Sequence, residues 1–253
     1  MTWRLGEHTH ETFARNPLDI VICQLRFDPI LKLKPRIPDF QDRIRERFPR
    51  YAEQEAEQIE FDLPAGRVRG RTIQTFVFSA RSEPASVSVG EKSIELQYRD
   101  HRDRGALGRD AVLVIEAFRQ TYSPVSPTRL GLRYVNVIAR ERISADLGRQ
   151  VEWTDLINPR FLHAPAGLLD MQNTRFAVET TSDLAPGHLT LRHGLLPLPE
   201  QADLVFRLDI DRYCEEALDV SGVPSALMGF ADDIYRLYRE AAGPALLEWM
   251  SRS

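Results

Sequence analysis

Thr72–Arg99 reads TIQTFVFSARSEPASVSVGEKSIELQYR, and the punctuation of this stretch decides the fold class. Strands are expected at 72–80, 85–89 and 93–99, rich in β-branched and aromatic residues and separated by turn material such as Gly90-Glu91. A further strand is expected at 59–63, ending at Pro64-Ala65-Gly66, whereas residues 50–58 are polar and acidic and read as an exposed helical turn or a linker. Short consecutive strands with tight turns form an antiparallel meander. Runs of strands without alternating helices argue against a parallel doubly wound sheet and for an α+β fold.

Working outward, Leu18–Phe27 (LDIVICQLRF) is a strand bounded by Pro17 and Pro29. Asp39 is placed to N-cap a short helix in which Phe40, Ile44 and Phe48 form one apolar stripe, stopped by Pro49. After the meander, Asp110 caps a segment with Val114, Phe118 and Tyr122 on one helical face, although its β-branched residues weigh against helix. Thr128–Ala139 (TRLGLRYVNVIA) is again a strand. Trp153–Leu162 reads as a short helix broken at Asn158-Pro159, followed by strands at 174–181, 188–196 and 203–211. A helix over Pro224–Ala241, with Leu227, Ala231, Ile234, Tyr238 and Ala241 on one face, breaks at Gly243-Pro244 before a last turn or two.

The order therefore starts over. Residues 1–127 and 128–253 each read as an antiparallel sheet with a short helix after the first strand and a longer helix at the end. The first strands are offset by about 112 residues, which is the mark of an internal repeat packed as one globular unit. That offset sets Leu18, Ile20, Ile22 and Gln24 over Leu130, Leu132, Tyr134 and Asn136, each row ending in an amide.

The composition is that of an ordinary globular chain: 253 residues, 43% hydrophobic, 28% charged, net charge −4. No run of about 18 apolar residues exists to span a membrane. The first residues carry no apolar stretch, so no secretory signal is expected and the default compartment is a reducing cytoplasm. Two cysteines, Cys23 and Cys214, allow neither a disulfide scaffold nor a zinc ribbon, and Cys23 within an apolar strand reads as core rather than nucleophile. Lysine occurs only at 32, 34 and 92, so arginine supplies nearly all of the 33 basic residues. Guanidinium forks suit carboxylates and phosphates. The 37 acids offset them, which argues against a duplex-binding domain. An RNA-binding reading would use Arg67, Arg69 and Arg71, alternating on one strand face, with Phe76 and Phe78 for stacking; sheet-core packing explains those phenylalanines better. No phosphate-cradling glycine motif and no G-x-S-x-G elbow is present, and no cofactor is implied.

Asp209 and Asp211 in FRLDID are the most suggestive acids. With Phe206, Leu208 and Ile210 turned to the core, they share the other face with Arg207, about 7 Å apart. That is a spacing for an acid/base pair or for cation ligands in a divalent-metal-dependent hydrolase or nuclease. A solvated strand face with an in-strand ion pair is the competing reading. Arg129 and Arg133 flank Gly131 on one strand face, leaving a shallow spot between two guanidiniums that could receive an anion or a backbone. Arg129, Arg133, Asn136, Gln24 and Arg207 are accordingly the candidate binding residues. His8 and His10, near Glu7 and Glu11, are a weak metal pattern, and His188 and His193 point to opposite strand faces. Tyr235, Tyr238 and Trp249 near the C-terminus are the candidate self-association surface.

PLDIVICQLRFDPIL (17–31), FQDRIRERFP (40–49), RLGLRYVNVI (129–138), W-x3-INP (Trp153 to Pro159) and LDIDRY (208–213) together resemble a sporadically distributed family of bacterial proteins of about 250 residues and unknown function. The C-terminal stretch departs from that pattern, with Gly229-Phe230-Ala231-Asp232-Asp233 where a histidine-containing helix is expected. The resemblance implies no catalytic residues. The family's patchy occurrence implies mobile or defence-related loci and accessory, antitoxin-like roles. Taken together, the residues and the resemblance lead to the expectation of a non-enzymatic binding protein with a protein partner or self-association, no membrane contact and nucleic acid as a lesser alternative.

Overall fold

In the computed structural model, residues 3–62, 67–82, 84–99, 104–123, 127–162, 174–197, 204–215 and 222–252 are described. Nine strands run β1 (Leu18–Phe27), β2 (Arg50–Asp62), β3 (Arg67–Ser79), β4 (Ala85–Val89), β5 (Ser93–Arg99), β6 (Pro127–Ile138), β7 (Phe176–Asp183), β8 (His188–Pro197) and β9 (Leu204–Cys214). They form one sheet in the order β2-β3-β4-β5-β1-β6-β9-β8-β7, every neighbouring pair antiparallel. Six helices are found among the described residues: α1 (Ile37–Ile44), α2 (Arg104–Tyr122), α3 (Arg140–Leu147), α4 (Trp153–Leu156), α5 (Val223–Ala241) and α6 (Pro244–Ser251). The fold is α+β.

Strand alternation sorts the side chains onto two faces. Val21, Cys23, Leu25 and Phe27 of β1, with Phe76 and Phe78 of β3 and Phe206, Leu208 and Ile210 of β9, are buried on one face. The stripes Phe40–Ile44–Phe48 and Val114–Phe118–Tyr122 close over them, with Phe118 against Phe27 and Phe40 against Phe78. α5 covers β6 and β9 through Leu227, Ala231, Ile234 and Tyr238. A fully buried side chain of this size contributes roughly 1.5–3 kcal/mol. The face opposite these helices carries Ile22, Gln24, Glu95, Arg129, Arg133 and Arg192, half-buried or exposed, and is called the open face below.

Several expectations change. Instead of one sheet per half, β1 and β6 pair along their length, so residues 1–127 and 128–253 share a single sheet. Core-facing residues are odd-numbered in β1 and even-numbered in β6, with Cys23 opposite Leu132 and Leu25 opposite Leu130. An offset of 112 therefore superposes opposite faces, and Leu18, Ile20, Ile22 and Gln24 do not match Leu130, Leu132, Tyr134 and Asn136. Residues 50–58 are neither turn nor linker: β2 pairs with β3 from Arg50–Ser79 to Asp62–Arg67. The Pro64-Ala65-Gly66 turn lies outside the described residues. Arg36, not Asp39, is the N-cap of α1; Pro38 occupies the first turn, and Asp39 sits within it, where its charge still suits the helix dipole. Asp110 lies inside α2 and faces inward, accepting hydrogen bonds from Tyr98 Oη and Arg47 Nε. α3 was not anticipated; Gly148 ends it in the left-handed conformation that glycine adopts at no steric cost.

Candidate binding site

The open face carries a ribbon of arginines and carboxylates because Arg129 and Arg133 of β6, Arg192 of β8 and Arg207, Asp209 and Asp211 of β9 all stand on it. On β9, Arg207, Asp209 and Asp211 share this face as the alternation predicts. β6 and β8 flank β9, with Arg133 opposite Asp211 and Arg192 opposite Asp209. The side chains then pair diagonally. Arg133 donates from Nε and Nη2 to the two oxygens of Asp209 at 2.7 and 2.6 Å, and Arg207 Nη2 adds a third bond at 3.3 Å. Asp209 is only 1% exposed at its side chain. Those bonds hold the Arg133 proton more firmly than usual. Arg129 Nη2 donates to Asp211 at 2.9 Å, and its guanidinium lies 4.4 Å from the Tyr213 ring centroid.

The ribbon continues in both directions. Arg129 Nη1 donates to Gln24 Oε1 at 3.1 Å, and Gln24 Nε2 donates to Glu95 Oε1 at 2.5 Å. Arg26 Nε also donates to Gln24 Oε1. Toward the other edge, Arg192 Nε donates to Glu179 at 2.6 Å. The shallow spot expected at Gly131 is filled from within: a Cβ there would lie 2.5 Å from Arg129 Nη1. Glycine lets Arg129 lie across its own strand and reach β1 and β9 together.

A real hollow opens instead beside Arg207. It has a volume of about 360 Å³, with Arg133, Arg192, Arg207, Glu179 and Asp209 on its polar side, Ala177 and Leu196 as an apolar flank, and Val178 and His193, whose side chains belong to the other face, completing the lining. Ala177 and Gly194 are paired across β7 and β8 and bring almost no side chain to this part of the face. Three guanidiniums meet two carboxylates there.

Gln24, Arg129 and Asp211 thus join one hydrogen-bonded group, and Arg133, Arg207 and Asp209 a second beside it. Asn136 joins neither: it is buried on the helix side, where its Nδ2 donates to the Leu208 carbonyl. Glu95, Arg192 and Glu179 were missed, because only the strand order brings them beside the rest. Asp209 faces two guanidiniums and Asp211 one, and that positive surrounding disfavours a divalent cation. No group of three ligating side chains converges among the described residues. His8 instead lies 3.0 Å from Glu240, and His10 stacks on Tyr235. His193 is buried against Phe161 and Phe206, on the face opposite His188.

Two of the three residues expected at a self-association surface, Tyr238 and Trp249, are buried, and Tyr235 is half-buried. Trp249 is 4% exposed and donates from Nε1 to Asp146; Tyr238 is 8% exposed and donates to the Met250 sulfur. Both lie in the main core because α6 folds back against α3 and α4. The N-terminal segment covers Tyr235, whose hydroxyl donates to the Thr9 carbonyl and accepts from Glu11 N–H. Phe76 and Phe78 are likewise core residues and cannot stack on bases. The backbones of Arg67 and Arg69 lie opposite Asp62 and Glu60 in the ladder, placing acid residues across from two of the three arginines of the RNA reading. Burial raises the Cys23 thiol to about 12, so it is no nucleophile at neutral pH.

No family model matches the chain, and no curated protein matches it. No helix among the described residues is long and apolar enough to cross a membrane.

Proposed function

We propose that this chain is a binding protein without chemistry of its own, and that the open face of the sheet is its recognition surface. The observation that carries the reading is the nearly buried Asp209, held by two arginines on the one sheet face that α1, α2 and α5 leave uncovered. Ionic groups fixed in this way give a rigid, patterned surface, which favours specific recognition over catalysis. The resemblance to the sporadic bacterial family adds an accessory or antitoxin-like role at mobile or defence-related loci, in the cytoplasm and with a protein partner. Two related halves belong to the same proposal. The orders β3-β4-β5-β1 and β7-β8-β9-β6 correspond, α1 and α3 follow the first strands, and α2 and α5 close each half. The antiparallel β1–β6 pair would then relate the halves by a two-fold axis, at an odd sequence offset.

Native mass spectrometry of the protein purified from its own cell lysate tests the reading. A co-purifying species in fixed stoichiometry, lost when Arg133 and Arg129 are both changed to glutamine, is the expected result. A bare chain showing metal-dependent hydrolysis abolished by Asp209→Asn would replace the binding protein with the hydrolase.

A further inference from the structure

We infer that the hollow beside Arg207 is a subsite for a small organic anion, a carboxylate carrying a short apolar body; the inference rests on the open face being the recognition surface. The argument begins with how each guanidinium is used. Arg133 commits Nε and Nη2 to Asp209, and Arg192 commits Nε to Glu179. Arg207 gives only Nη2, at 3.3 Å, to a carboxylate that Arg133 already grips. Its Nε is shielded from water and has no hydrogen-bond partner. A shielded donor left without an acceptor is destabilising, and a small turn of the exposed end of Arg207 would bring it to an incoming oxyanion. Three cations against two anions leave one positive charge uncompensated in the hollow.

The charge selects an anion; the wall selects its body. Ala177 and Leu196 offer an apolar flank next to Arg207, and about 360 Å³ lies within the range of small-ligand sites. A fork of guanidinium donors binds a planar carboxylate with two parallel bonds, leaving an attached hydrocarbon chain to lie along the flank. The larger hollow of about 620 Å³ near the start of α5 lacks this bias. There Arg212 and Arg236 are matched by Asp232 and Asp233.

The test is titration of the full chain with hexanoate, acetate and sodium chloride, following the Arg Nε–H and Leu and Val methyl resonances by NMR. Hexanoate is expected to move the Arg207 Nε–H and a Leu196 methyl together, with acetate at least tenfold weaker and chloride without saturable effect. Arg207→Gln should weaken hexanoate at least tenfold, Arg207→Lys should fall between, and Arg43→Gln, exposed on α1 away from the open face, should bind as wild type. Circular dichroism of each variant separates lost binding from lost folding, and Arg192→Gln serves if Arg207→Gln does not fold. Undiminished hexanoate binding in the folded arginine variant, or acetate equal to hexanoate, overturns the subsite. Failure of hexanoate to bind the wild-type chain, with a co-purifying partner still present, would overturn the subsite while leaving the binding-protein reading intact.

Discussion

Arg212 carries its charge where water does not reach: its side chain is 0% exposed. It stands on the helix side of β9, donates from Nε to Asp233 at 2.9 Å and from Nη1 to the carbonyls of His188 and Tyr213, and lies over the Phe230 ring. Asp233 keeps 22% of its side chain exposed. The two partners are therefore unequal. Asp233→Asn leaves a buried cation without a counter-charge, at a cost of about 3 kcal/mol. Arg212→Met removes the buried charge and leaves an acid that water can reach, so it costs distinctly less. Urea denaturation of both variants checks the order; a larger loss in Arg212→Met would mean that its packing and carbonyl contacts outweigh the charge. Sequence alone could not have raised this pair, since Arg212 and Asp233 are joined only by α5 lying over β9.

At the scale of elements, two glycines on the open face make opposite predictions. A Cβ at Gly131 meets the far end of Arg129, which can swing away; one at Gly194 falls 2.0 Å from the Phe176 carbonyl oxygen and 2.9 Å from Ala177 Cα. Gly131→Ala is expected to cost under about 1 kcal/mol while loosening the Arg129–Asp211 pair. Gly194→Ala must push the edge strand β7 off β8, an overpacking cost of about 2–3 kcal/mol. Hydrogen exchange should show the β7–β8 amides losing protection in Gly194→Ala and not in Gly131→Ala; equal protection in both variants would contradict the close approach. The same scale shows what was legible. The stripes Phe40–Ile44–Phe48 and Val114–Phe118–Tyr122 were readable because a helix repeats its buried face locally. β2 was not: RYAEQEAEQIEFD is built of helix-favouring Glu, Ala and Gln, and only the thirteen-residue ladder to β3 makes it a strand. Arg207, Asp209 and Asp211 were placed on one face by alternation, but Arg192 and Glu179 needed the strand order, which no local pattern encodes.

For the whole molecule, the core that closes over one sheet face also sets how the protein responds to alkali. Burial raises Cys23 from 9.0 to about 12. Burial likewise raises Tyr98, Tyr122 and Tyr238 above the ordinary tyrosine value of 10.0, with the Asp110 hydrogen bond adding to the effect at Tyr98. In each case the folded chain favours the neutral form. The stability this confers is complete below the unfolded values, near pH 9 for the thiol and 10 for the phenols, and is lost as pH climbs through the higher folded values. All four act in one direction and draw on one cluster, so their losses accumulate. The urea midpoint should hold steady from pH 7 to 8.5 and then fall without recovery toward pH 12. Cys23→Ala should flatten the first part of that fall, between pH 9 and 10, because one ionisation is gone. In the native protein at pH 8, Cys23 and Cys214 should both resist a thiol reagent and react together on unfolding, since both are buried. Prompt reaction of either thiol in the folded chain, or a midpoint unchanged at pH 11, would show that water enters the core between α1, α2, α5 and the sheet.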